Sequence, residues 1–183
     1  MPKTRVYDEK KFAELVLYVA DRMQDAPWYG ATVLNKVLFF ADFLHYAEHG
    51  KPITGAEYCR LDHGPVPRRL LPVREELIDS GRAVLRERSV GLRKQQRLEA
   101  LVEPDLTAFS ATEIKMVDEV IHLLRKHTAT SISDVTHQMN GWRIAGDRES
   151  IPYESVFLSS APVTEDDVAM ARSLRTLAQA ALN

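Results

Sequence analysis

A single cysteine, Cys59, stands among the 183 residues. It has no partner for an internal disulfide, and a zinc site built from several thiolates is excluded. A lone thiol suits a reducing compartment. No apolar run is long enough to span a bilayer, so no transmembrane helix is expected. The leading MPKTRVYDEKKF carries charges but no apolar stretch with a small-residue cleavage site behind it. A signal peptide is therefore not expected, and the protein is read as cytoplasmic. Neither sign of charge dominates: 26 acidic residues against 24 basic ones leave a net charge of -2. That balance lacks the global basic excess of a nucleic-acid binder and the acidic tail of a disordered chain. Also missing are Gly-x-x-x-x-Gly-Lys-Ser/Thr, Gly-x-Gly-x-x-Gly and Gly-x-Ser-x-Gly, so neither nucleotide binding nor a nucleophile elbow has support. There is no internal repeat and no low-complexity segment.

What is present is helical periodicity. Asp8 caps a first helix with apolar residues at Phe12, Leu15, Val16, Val19, Ala20 and Met23, closed by Pro27 and Gly30. The next helix, Thr32 to Glu48, is apolar on two sides: Leu34, Val37, Leu38, Ala41 and Leu44 on one, Phe39, Phe43 and Tyr46 on the other. Such a helix belongs between neighbours, with Gly50 as its left-handed stop. A short strand is expected over Ala56 to Leu61, a turn at Gly64-Pro65 and a third helix over Val66 to Ser80. Pro67 would lie in the first turn of that helix, or Pro72 delays its start to Leu71. Arg82 to Arg88 and Gln95 to Val102 read as a hairpin across Ser89–Gly91. Ser110 and Glu113 form a capping box, Thr130 to Met139 a short helix, and Thr164 opens a last one. The expected fold is α+β, mainly α: a central buried helix in a helical bundle with a small β-hairpin or wing element. One domain is expected over 1–183, with a core over about 8–158 and a C-terminal helix over about 164–181.

The stretch HYAEHG, residues 45 to 50, spells the inverted zinc-protease signature. His45 and His49 share a helix face, as two ligands require. They also occupy the last turn before Gly50, where ligand geometry is poorly fixed, and no third ligand is signalled. The simpler reading is a hydrogen-bonded histidine at the solvated end of a helix, where its positive form suits the dipole. His63, His122, His127 and His137 form no catalytic constellation, so no enzyme, metal or cofactor is expected.

Charge is nonetheless unevenly spread. Between Arg60 and Arg97 ten basic residues face five acidic ones. A helix followed by an arginine-rich hairpin is how a winged helix is written, with Arg88, Arg93 and Lys94 as candidate nucleic-acid contacts. The competing reading is a solvated hairpin whose arginines guard an edge strand.

The segment LNKVLFFADFLHYAEHGKPITGAEYCRLDHGPVPRRL resembles the core motif of the Panacea domain family, the SocA-like antitoxin domain also met in phage-associated proteins. Lys36 through Asp42, Gly50, Ile53-Thr54-Gly55, Tyr58 and Gly64-Pro65-Val66 carry the likeness, with Ser133, His137, Trp142 and Ile151 to Glu154 as a second block. Asn35 and Val37 depart from the family pattern. The resemblance implies an antitoxin of a toxin-antitoxin system, neutralising by direct binding a protein toxin usually encoded beside it. Toxins paired with the family are diverse, and one member is an adaptor delivering its toxin to a protease. Alternatives carried with this reading are a DNA-binding, autoregulatory regulator and a proteolytic adaptor. Interface cores favour aromatic and Arg residues. The expected partner-binding residues are therefore Tyr58, Arg60, His63 and Gly64, Pro65, Val66 and Pro67, with Trp28 and Tyr29 near the other end of the central helix. Against this, Trp28, Tyr58, Trp142 and Tyr153 also read as ordinary packing. A metal analysis of the purified protein is expected to find no stoichiometric zinc; one zinc per chain would revive the protease reading.

Overall fold

In the computed structural model, which describes residues 6–90, 93–158, 165, 169, 170 and 172, six helices and two antiparallel hairpins gather round one helix. Helix α1 (Glu9–Met23) begins where Asp8 accepts a hydrogen bond from the Lys11 amide at 2.9 Å. Helix α2 (Ala31–His49) ends at Gly50, whose φ of 70° suits a residue without Cβ. It is the central helix, as its two-sided apolar pattern implied. The Phe39 and Phe43 rings pack at a tilt with centroids 4.1 Å apart, and Phe43 meets Tyr153 at 4.4 Å.

The polar centre of the molecule lies on the same helix. Asp42 is fully buried. Its carboxylate accepts from the Thr54 amide at 2.8 Å, the Thr54 hydroxyl at 2.6 Å and the Tyr58 hydroxyl at 2.8 Å. The Ile-Thr-Gly turn and the strand after it are thereby fastened to α2 by a charged acceptor inside apolar surroundings, where an unpaired group would be costly.

Strands β1 (Tyr58–Leu61) and β2 (Gly64–Pro67) pair antiparallel, Tyr58 opposite Pro67 and Leu61 opposite Gly64. This corrects the sequence expectation: Gly64-Pro65 is not the turn, and Val66 and Pro67 are not helical. The two prolines stand two residues apart, so their missing N–H groups both lie on the unpaired edge of β2, where a strand tolerates proline. Opposite Pro65, the Arg60 amide and carbonyl likewise turn away from β2, bonding Glu149 O at 3.0 Å and Arg148 N at 2.9 Å. Helix α3 (Leu70–Asp79) starts only after this strand and carries Pro72 in its first turn.

Strands β3 (Ala83–Val90) and β4 (Arg93–Ala100) form the second hairpin, from Ala83 opposite Ala100 to Val90 opposite Arg93. The ladder extends past the expected tip at Ser89–Gly91, and residues 91–92 lie outside the described ones. Helix α4 (Ala111–Leu124) has the expected capping box, and its Glu113 also pairs with Lys11 at 2.8 Å, drawing α4 onto α1. Helices α5 (Ala129–Gln138) and α6 (Asn140–Ile144) and a 3-10 turn (Tyr153–Phe157) complete the described elements. The helix expected from Thr164 falls largely outside the described residues; the four described there, 165, 169, 170 and 172, are helical. No helix among the described residues is long and apolar enough to cross a membrane.

Asp42→Ala strands the Thr54 amide and hydroxyl donors in the core and leaves the Tyr58 hydroxyl only Leu38 O, and is expected to cost roughly 3 kcal/mol or more of unfolding free energy in a urea titration. Asp42→Asn keeps the shape and one acceptor and should cost less; equal stability of all three proteins would show that the network holds nothing.

Candidate functional site

The hairpin β1–β2 is held from every side, and the residues that hold it are those of the sequence motifs. Lys36, completely buried, runs beneath Gly64 and donates from Nζ to Pro65 O at 3.3 Å. Gly64 has φ of 97°, and a Cβ there would stand 2.6 Å from Lys36 Cε and 2.5 Å from Thr136 Oγ1. Only glycine allows lysine and strand to pass this closely. Ser133 Oγ donates to His63 O at 2.9 Å, and Trp142 Nε1 to Leu61 O at 3.2 Å. The Arg60 guanidinium lies 4.2 Å over the Trp142 ring, whose stacked neighbour is His137 at 4.1 Å. Arg60 also donates to Ala145 O at 2.6 Å. Tyr153 closes the base of the hairpin by donating to Ala56 O at 2.6 Å.

The residues expected to meet a partner therefore divide. Tyr29 is buried, with its hydroxyl on Leu98 O at 3.0 Å. Tyr58 is buried and bound to Asp42 and to Leu38 O at 2.9 Å. Both are core residues, because each phenol finds its hydrogen-bond partner inside. Gly64, Pro65 and Pro67 are buried as well, packed as the strand β2. Arg60 and Val66 are half-buried, and His63 is exposed at the hairpin tip beside Asp62. Trp28 is exposed, but its carbonyl accepts from Gln95 on β4, so it borders the second hairpin rather than the first.

HYAEHG also changes character. His45 is not at a solvated helix end: it is 1% exposed, with Nδ1 on Lys51 O at 2.7 Å. His49 is exposed and its ring packs against it at a tilt, centroids 4.5 Å apart. Among the described residues no group of three or more histidines, cysteines and carboxylates is placed to hold a metal.

Most of the charge of the basic stretch is already engaged. Arg68 pairs with Glu57 at 2.7 Å, Arg82 with Glu14 at 2.9 Å, Arg86 with Glu99 at 2.7 Å and Lys94 with Glu87 at 2.7 Å. Arg97 is buried, its guanidinium on Pro27 O at 2.7 Å and Gln24 O at 3.3 Å. Arg88 is exposed, and Arg93 is described by its backbone alone. The helix that a winged-helix reading would send into a DNA groove, α3, turns Glu75, Glu76 and Asp79 to solvent, a face that phosphates repel.

Among the described residues Arg60, Arg74, Arg88 and Arg97 of the basic stretch have no ion pair; carbonyl oxygens take Arg60 and Arg97, which leaves Arg74 and Arg88. Arg74, on α3, borders a cleft of about 370 Å³ between the start of α2, the first hairpin, α3 and the second hairpin. Neither Arg74 nor its neighbour across the cleft, Asn35, was singled out from sequence as a site residue.

The framework is thus a helix-centred α+β fold whose motif residues brace one short hairpin. Residues 34–143, more than half of the chain, match the family model "Antitoxin SocA-like, Panacea domain", and the chain belongs to that family. The block Ile151 to Glu154 lies beyond the matched residues. No curated protein and no solved structure matches the chain.

Desolvation holds the pKa of Lys36 down to about 8, from 10.5 for an unburied lysine. The folded protein therefore releases this proton before the unfolded chain does. Below pH 8 the buried ammonium costs stability, and that cost disappears as the pH climbs from about 8 to about 10.5. Across this window the native protein is expected to gain up to about 3 kcal/mol relative to Lys36→Met in urea titrations. Parallel stability curves for the two proteins would show that the ammonium is solvated.

Proposed function

We propose that this chain is an antitoxin that neutralises a cognate protein toxin by binding it directly. The observation that carries the reading is its membership of the SocA-like Panacea family across residues 34–143. The arrangement of the motif residues supports it. Lys36, Asp42, Thr54, Gly64, Ser133 and Trp142 are spent on bracing the hairpin β1–β2. A braced, well-packed framework carrying exposed polar and apolar groups is preorganised for docking, since little ordering entropy remains to be lost on association. A DNA-binding role finds no comparable support, because Arg82, Arg86 and Lys94 are paired, Arg97 is buried and α3 is acidic on its outer face.

Co-expression with the product of the adjacent open reading frame tests the proposal. The expected result is growth rescue together with co-purification of the two proteins. Toxicity that persists despite good expression of both would count against it. The toxin level separates two outcomes: a toxin that accumulates in a complex fits neutralisation by binding, whereas one that disappears in a protease-dependent way fits the adaptor role.

A further inference from the structure

The cleft beside the first hairpin carries two unmet polar demands. Two residues in its wall, Asn35 and Arg74, each hold a polar atom without a hydrogen-bond partner: the Asn35 amide oxygen, an acceptor, and Arg74 Nε, a donor. Polar atoms withdrawn from water and left unpaired are uncommon and call for an explanation. Both side chains are only half-buried, so a rotation about their outer bonds turns these atoms toward an incoming group.

Apart from Gln96, the rest of the wall is apolar or cationic. Leu34, Leu61, Val66, Leu85 and Leu98 line it, and no carboxylate does. Its other charge, Arg68, is already committed to Glu57, Ser150 and the Arg148 carbonyl. At the rim Leu71 is 54% exposed. A second recess, of about 410 Å³, carries Lys36, His63 and Arg148 together with the carboxylates Asp62 and Asp147 in its wall and shares Asn35, Leu61 and Val66 with the first, so an incoming carboxylate is favoured at the Arg74 end. The two together form a track that passes over the hairpin, with Asn35 at the junction.

We infer that this track receives an extended segment of a partner polypeptide in which one carboxylate side chain is flanked by apolar residues. The carboxylate sits on the Arg74 guanidinium, a charge-assisted contact in a partly desolvated place. The flanking side chains fill the apolar wall, and a backbone N–H of the segment donates to the Asn35 amide oxygen. Length selects a chain over a small acid, because two recesses joined end to end suit successive residues of one strand. This inference rests on the antitoxin reading for the partner's identity, with the toxin as the source of the segment; the chemistry of the track stands by itself.

Two measurements separate the two. In the first, the peptide N-acetyl-Leu-Glu-Leu-amide is titrated to millimolar concentration into the full chain, with N-acetyl-Leu-Gln-Leu-amide as control. The Arg74 Nε–H and Asn35 side-chain resonances are followed by NMR. The glutamate peptide should shift both, and the glutamine peptide should bind at least tenfold more weakly. In the second, Arg74→Glu and Leu71→Glu, both on accessible positions, are co-expressed with the adjacent-frame product. Leu123→Glu serves as control, on an α4 furrow that shares no residue with the track. Circular dichroism and thermal melting confirm the fold, and Arg74→Gln substitutes for any variant that fails them. The two track variants should lose rescue and at least tenfold in affinity, while Leu123→Glu keeps both. Rescue by the wild type and by both track variants alike, or the absence of any peptide shift at Arg74, overturns the site. Peptide binding without rescue by the wild type leaves the site standing and removes the antitoxin reading.

Discussion

A carboxylate at the middle of the central helix sets the arrangement of the rest. Asp42 is out of water on every side, and the donors that make this tolerable all come from one stretch of twelve to sixteen residues further along the chain, Thr54 and Tyr58. Burial pushes the carboxyl pKa up, against the pull of those hydrogen bonds. Withdrawing the Thr54 amide would leave Oδ1 without its donor, and withdrawing either hydroxyl would leave Oδ2 with one donor in place of two. The loop after Gly50 therefore has essentially one way to lie. From it follow the register of β1, the position of the hairpin and the seat of α3.

The same device recurs at smaller scale. Lys36 fixes β2 through Pro65 O, Arg97 fixes β4 to the turn before α2, Glu14 takes Arg82 and the Asp105 amide, and Glu113 takes Lys11. Each joins elements far apart in sequence by a charged group drawn inward. Such contacts contribute little net stability, because desolvation offsets most of the attraction. They reject alternatives instead: a slipped strand would leave an ion without its partner. Hydrophobic matching alone would leave the short, proline-rich hairpin loosely specified.

How far the sequence could disclose this depends on the range of each interaction. Local rules carried the helix ends well: Asp8, Gly50, and the Ser110 and Glu113 box act within a turn of their own backbone. Periodicity made α2 central because two apolar faces need two neighbours. The rule that proline and glycine mark turns failed at Gly64 to Pro67, where alternate prolines on an unpaired edge are compatible with a strand. Charge counting failed for the basic stretch, since composition does not show that Arg97 points inward or that Arg82, Arg86 and Lys94 meet carboxylates. The family resemblance pointed to the first hairpin, yet several of its aromatic letters, Tyr58 foremost, belong to the scaffold. Asn35 was visible only as a departure from the family pattern, and Arg74 as one of the ten basic residues of its stretch; their common cleft is a tertiary fact.

That division bears on where a binding surface should be sought in a fold of this kind. Residues whose side chains close hydrogen-bond networks inside the protein have nothing left to offer a partner, however well their letters follow a motif. Tyr58 and Trp142 are engaged in this sense, and replacing them would perturb docking only through the scaffold. Groups that the scaffold leaves unmet are the ones that gain most from association, because their desolvation is already complete in the free protein and the incoming atom supplies only the attraction. Asn35 and Arg74 meet that condition, and they do so beside the braced hairpin. The fixed network around Asp42 thus has a second consequence: by holding α2, the hairpin and α3 in one relation, it keeps an unpaired acceptor and an unpaired donor in the wall of one cleft, available to a third party.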